Sequence, residues 1–166
     1  MAIDSGVVSR TSESDAHSGG QRPKPSSEQI RERFSRQRRT GTGPELTLRR
    51  ELHGRGWRYR ADHPPLPDLR RRRADIVFTR LRVAIFVDGC FWHACPQHAT
   101  APKANADWWR AKLETNVARD RDTDARLEEA GWTVVRVWEH EPPPEAADRI
   151  EAVLRKRRRQ LSSGST

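Results

Sequence analysis

The stretch Arg82–His98, RVAIFVDGCFWHACPQH, constrains this chain more than any other. Its first half, Val83 to Val87, is a β-branched apolar run with the length of a buried strand. The run breaks at Asp88-Gly89 and then delivers Cys90, Phe91, Trp92, His93, Cys95 and His98 in quick succession. A buried strand that releases acid, thiol, imidazole and aromatic groups at its carboxyl end describes an active site more readily than a core.

The surrounding chain supplies a small core and a highly charged exterior. Hydrophobic residues make up 34% of the 166 positions and charged residues 33%, enough for one core domain with tails. The formal net charge of +9 points to a polyanionic partner, and six tryptophans suit base stacking or intercalation. No run reaches transmembrane length, and residues 1–30 lack the apolar segment of a signal peptide. The expectation is a cytoplasmic protein without membrane contact, in which Cys90 and Cys95 are ligands or free thiols rather than a disulfide.

In chain order, residues 1–30 read as a disordered extension rich in Ser, Gly, Pro and charge. Gln29 to Arg39, QIRERFSRQRR, is a basic arm carrying one apolar residue, Phe34, and reads as a solvated segment or as one that docks on phosphates. Pro44 suits the first turn of a helix that places Leu48 and Leu52 on one face and ends at Gly54 and Gly56. Glu45 in that first turn is favourably placed for the helix dipole. The alternation of Trp57 to Arg60 predicts a short strand, and His63 to Leu69, with its prolines, a loop. Ile76 to Phe78 forms a second strand with Asp75 at its entrance. An antiparallel pairing of this strand with Val83–Val87 brings Asp75 close to Asp88. Asp107 to Gly131 carries the longest helical pattern, and Trp132 to Trp138 is a β-branched strand expected beside the central one. Residues 145–159 predict a last basic helix. The order predicts an α/β fold with a mixed central sheet flanked by helices.

Two chemical clusters follow from the types and spacing. Asp75, Asp88 and His93 could supply metal-binding carboxylates and a base for phosphodiester hydrolysis. They could equally be a strand-entry residue, an Asp-Gly turn and a loop histidine. Cys90, Cys95 and His98 have the character of a metal loop, with His140 as a candidate fourth ligand in a closed structural zinc site. The competing reading is buried thiols beside surface histidines. Of the aromatic pairs Phe91-Trp92 and Trp108-Trp109, at most one member of each can face the same core, so an exposed ring is expected. Trp109 suits a packed lid, and Phe91-Trp92 a wedge between base pairs.

The run DIVF…VAIFVDGCFWHACPQH…PKAN…DWWRAKLETNVARDRD…LEEAGWTVVRVWE, with the preceding arm and PE-x-x-LRR-x-L helix, resembles the very short patch repair (Vsr) endonucleases. The likeness covers residues 31–141, leaving 1–30 as an extension and 142–166 as a basic helix and tail. It implies a restriction-endonuclease-like core with a structural zinc loop, and a Mg²⁺-dependent, strand-specific nickase acting at T:G mismatches left by 5-methylcytosine deamination. It places a magnesium ligand on Asp75 and a main-chain contact on Val87, with Asp88 as a further carboxylate near the metal. The catalytic histidine falls on His93, its orienting acid on Asp120, and the amino-terminal helix glutamate on Glu45. The zinc ligands fall on Cys90, Cys95, His98 and His140, the last a position where many relatives carry cysteine. The DNA-contacting residues fall on Phe34, Phe91, Trp92, and Lys103 and Asn105 of the PK-x-N motif. The implied partner is duplex DNA with a T:G mismatch, with mismatch-repair proteins as further candidates, for a monomer acting in the cytoplasm at the nucleoid. Two alternatives stand beside it: a related restriction or defence nuclease with no mismatch requirement, and a non-catalytic DNA-binding module.

Overall fold

The computed structural model describes residues 41–93, 95–98 and 105–163. Phe34, Lys103 and the extension over residues 1–30 lie outside these described residues. The described chain runs α1 (Gly43–Gly54), β1 (Arg60–His63), β2 (Ala74–Phe78), β3 (Val83–Asp88), α2 (Ala106–Glu129), β4 (Thr133–Trp138) and α3 (Pro143–Ser163). The strands form one four-stranded sheet in the order β1-β2-β3-β4, antiparallel except for the parallel β3–β4 pair. The mixed α/β sheet expected from the element order is therefore present.

Strand alternation distributes the core over the two faces of the sheet. Ile76, Phe78, Val83, Ile85, Val135 and Val137 pack under α1, through Leu48 and Leu52, and under α3, through Ala146, Ala147, Ile150 and Leu154. The opposite face is smaller: Val77, Ala84, Phe86 and Val134 meet Leu127 of α2. Because β3 and β4 are parallel, α2 is the crossover between them, and both strands end at the same pole. That pole also receives the start of β2, since Ile76 pairs with Ile85 in the antiparallel register. Three strand termini thus converge where the acid, thiol and imidazole residues lie.

Two helix ends show why the chain turns where it does. After α1, Gly56 adopts φ 89°, and the Trp57 N–H reaches back to the Leu52 carbonyl. After α2, Gly131 adopts φ 78°, with the Trp132 N–H on the Leu127 carbonyl. Both are left-handed stops that a glycine takes without steric cost.

The first strand differs from its expectation. Pairing with β2 is made by Arg60, Ala61 and His63, so Trp57–Tyr59 precede the strand and His63 belongs to it rather than to the loop. The Trp57 and Tyr59 rings are instead edge-on to Phe78, each with centroids 5.9 Å apart. Their alternation reflects packing on the core, while the strand itself is defined by its partner β2.

Candidate active site and metal cluster

At the convergent pole, Asp75 projects from β2 and its Oδ2 accepts the Val87 N–H of β3 at 2.7 Å. Arg49 of α1 donates to the Asp75 carbonyl through Nη2 at 2.9 Å, and lies 3.5 Å from Glu45. Glu45 is only 3% exposed. It accepts the Gly41 N–H at 2.7 Å and the Thr42 hydroxyl at 2.9 Å, tying the helix start to this end of the sheet. Burial pushes the Asp75 carboxyl up to about 6, with Glu45 and Asp88 adding to it against the Val87 N–H and Arg49. A carboxylate held in this state gains from a cation placed on it.

On the neighbouring turn, His93 Nδ1 lies 2.5 Å from Asp120 Oδ2 of α2 and 3.6 Å from Asp88 Oδ1. Burial disfavours the imidazolium, but the Asp120 bond and the charges of Asp88 and Asp120 outweigh it and hold the His93 pKa above its ordinary value. Burial likewise opposes the Asp120 carboxylate, and His93 with Arg136 overcomes that and lowers its pKa. The contact fixes the tautomer of the neutral ring: Nδ1–H donates to Asp120, which leaves the lone pair on Nε2. The structure thus brings Asp75, Val87, Asp88, His93, Asp120 and Glu45 to one pole.

Asp88 has a partner that sequence reasoning missed. It is 3% exposed, and Arg136 Nη1 reaches its two oxygens at 2.8 and 2.9 Å. Burial raises the Asp88 pKa, and Arg136 and His93 draw it back only in part. Arg136 interrupts the apolar run of β4 with a charge, but the strand pattern alone does not say what that charge meets. Glu139 was missed too: its Oε1 accepts the Cys90 N–H at 2.7 Å and steadies the turn after β3.

Beside this group, Cys90, Cys95, His98 and His140 place one ligand atom each within 4.8 Å of one another. Cys90 Sγ is 3.1 Å from His140 Nδ1 and 4.0 Å from His98 Nδ1. Cys95 Sγ is 3.8 Å from each of the two Nδ1 atoms. Metal–sulfur bonds of about 2.3 Å and metal–nitrogen bonds of about 2.0–2.1 Å in a tetrahedron give ligand spacings of this size. Burial and Cys95 push the Cys90 thiol up to about 11, so a metal there must displace a proton. The two-sulfur, two-imidazole set fits a four-coordinate ion.

The aromatic residues gather beside the turn after β3. None of Phe91, Trp92, Trp108 and Trp109 is fully exposed. They pack on one another, with centroid separations of 5.1 Å for Phe91–Trp92, 5.3 Å for Phe91–Trp109 and 4.9 Å for Trp108–Trp109. Rings that cannot share the core bury their faces in a cluster of their own. Asn116 of α2 donates to the Trp92 carbonyl at 3.2 Å, which holds the loop to the helix. Asn105 is exposed at the amino-terminal cap of α2, with φ 56°.

Comparison with known proteins identifies the family. Residues 26–98 match the family model described as DNA mismatch endonuclease Vsr. The type II nicking enzyme V.NaeI of Lentzea aerocolonigenes is 45% identical over 140 residues, covering 84% of this chain and 82% of that protein. The type II nicking enzyme V.XorIIP of Xanthomonas oryzae is 41% identical over 106 residues, or 63% of this chain and 74% of that protein. The DNA mismatch endonuclease Vsr of Escherichia coli is 37% identical over 99 residues, 59% of this chain and 61% of that protein. With likeness of this extent, the chain belongs to the Vsr family of endodeoxyribonucleases.

Proposed function

We propose that the chain nicks one strand of duplex DNA at T:G mismatches formed by deamination of 5-methylcytosine, in a Mg²⁺-dependent reaction. The observation that carries this reading is the His93–Asp120 pair at the same pole as the half-buried Asp75, within a family of DNA nicking and mismatch endonucleases. Asp75 and the Val87 carbonyl are the groups that would hold Mg²⁺, which supplies positive charge to the scissile phosphate when bound. Asp120 keeps the His93 imidazole oriented, and Nε2 takes a proton from the attacking water. Glu45 and Arg49 hold the Asp75 segment against α1. Zinc is the ion we assign to Cys90, Cys95, His98 and His140, because two thiolates and two imidazoles make a closed structural set. In that role it fixes the turn that carries His93 and the aromatic pair. Phe91 and Trp92 act as the wedge at the mismatched step, with Phe34, Lys103 and Asn105 as further DNA contacts. The enzyme acts as a cytoplasmic, nucleoid-associated monomer.

Two of the matching relatives are named as type II nicking enzymes, a name that mentions no mismatch, so we set beside this a second reading in which the chain is a restriction or defence nuclease that nicks without one. Labelled duplexes that differ only in one T:G or C:G pair, incubated with Mg²⁺, separate the two. Nicking confined to the thymine strand of the T:G duplex is the expected result. Equal cutting of the fully paired duplex would overturn the mismatch requirement.

A further inference from the structure

Arg136 stands in the middle of β4 and takes no part in the hydrolytic scheme above, yet its guanidinium is the most heavily bonded group at the pole. Nη1 bonds the two oxygens of Asp88 at the end of β3. Nε and Nη2 bond the two oxygens of Asp124, each at 2.9 Å. Nη2 also reaches the Asp120 carbonyl at 3.4 Å and lies 3.7 Å from Asp120 Oδ1. The flat face rests on the Phe86 ring, 4.9 Å from its centroid.

This pattern has a direction. Asp120 and Asp124 are one turn apart on α2 and share a face, so a single planar fork meets both. Asp88 is fixed by the β3–β4 pairing, in which Phe86 lies opposite Arg136. One side chain therefore bridges a strand end and the helix that presents Asp120. It approaches Asp120 through the carbonyl and Oδ1, leaving Oδ2 to His93. A lysine could neutralise Asp88 but could not span the same three groups.

We propose that Arg136 is a positioning residue for hydrolysis, setting the placement of α2 so that Asp120 meets His93, with Asp88 as the anchor of this clamp rather than a metal ligand. The proposal rests on His93 acting as the base. It narrows the earlier expectation for Asp88, whose two oxygens are engaged by Arg136.

The test uses the full chain, with Arg136→Lys as the first variant. Arg136→Met combined with Asp88→Asn is the second, since it removes the ion pair without stranding a buried carboxylate. Three quantities are followed: the single-turnover nicking rate, the Kd for a T:G duplex without Mg²⁺, and the downfield proton resonance of His93 Nδ1–H. For both variants the expected result is a rate loss on the order of 10²-fold, as small misplacements of catalytic groups can produce. DNA affinity and zinc content should be retained, and the His93 resonance displaced. A wild-type rate, or a slow variant whose resonance is unmoved, would overturn the clamp. For the anchor, Mn²⁺ titration of the DNA-free protein should give unchanged binding for Asp88→Asn and lost binding for Asp75→Asn. Equal loss in both would make Asp88 a ligand and refute its role as anchor. His93→Ala separates the two layers: nicking that survives it contradicts the hydrolytic scheme, whereas its loss together with wild-type Arg136 variants contradicts only the clamp.

Discussion

Asp75 is the residue whose state the fold strains most usefully. Its carboxyl is pushed from the ordinary acid range to about 6 by burial, with Glu45 and Asp88 adding to the effect. Because the folded value lies above the unfolded one, the native state holds the proton more tightly. This contribution to stability is fully present below about pH 4, and is lost as pH rises through about 6. In the metal-free protein, Asp75→Asn should therefore stabilise the fold at pH 8 by on the order of 1–2 kcal/mol, and by much less at pH 4. In the same reading, Mg²⁺ raises the Tm of the wild type at pH 8 but not at pH 5, and leaves Asp75→Asn unmoved. Calorimetric scans at the three pH values check both halves; a Mg²⁺ response in the variant would remove Asp75 from the metal site. Spacing alone left Asp75, Asp88 and His93 open between catalysis and turn or loop roles, and Asp120 entered only through the family resemblance. The Arg136–Asp88 ion pair was not legible in the sequence. An arginine inside TVVRVW looks like the solvent-facing member of an alternating strand, and only the packing of α2 over that face half-buries it and pairs it.

At the scale of elements, β3, β4 and α2 follow from periodicity, and the structure has them close to the expected limits. The short β1 does not: Trp57 and Tyr59 alternate because they pack on Phe78, and pairing with β2 begins only at Arg60. Asp62 even adopts φ 42° within it. The metal cluster lies between elements: Cys90 follows β3 and His140 follows β4, so the parallel pairing brings together residues far apart in the chain. We expect His140→Cys to retain about one equivalent of zinc, since thiolate is an equally suitable ligand. His140→Ala should lose it and melt at lower temperature. Elemental analysis after dialysis, with Tm on the same samples, decides this; full zinc occupancy in His140→Ala would exclude His140 as a ligand.

At the scale of the whole molecule, the net charge of +9 is an instrument of association rather than of folding. Neutralising about six phosphates makes affinity for mismatch-free duplex fall by about 10³-fold between roughly 50 and 200 mM salt. Fluorescence anisotropy across that range measures the slope, and a flat dependence would mean the basic residues face away from DNA. The three-layer arrangement also bears on how the chain holds together when it opens. Cys90 and His140 sit at the two ends of the crossover that contains α2, and Cys90 Sγ lies 3.1 Å from His140 Nδ1. An ion shared by them closes that entire segment into a ring. Closing a loop of about fifty residues costs roughly 3–4 kcal/mol of chain entropy, so a ligated ion that survives partial unfolding restrains the opened chain as a cross-link would. If these four side chains hold an ion, they would act on the denatured ensemble as well as on the native turn, and a chelator should both lower the melting point and broaden the range of conformations from which the protein must refold.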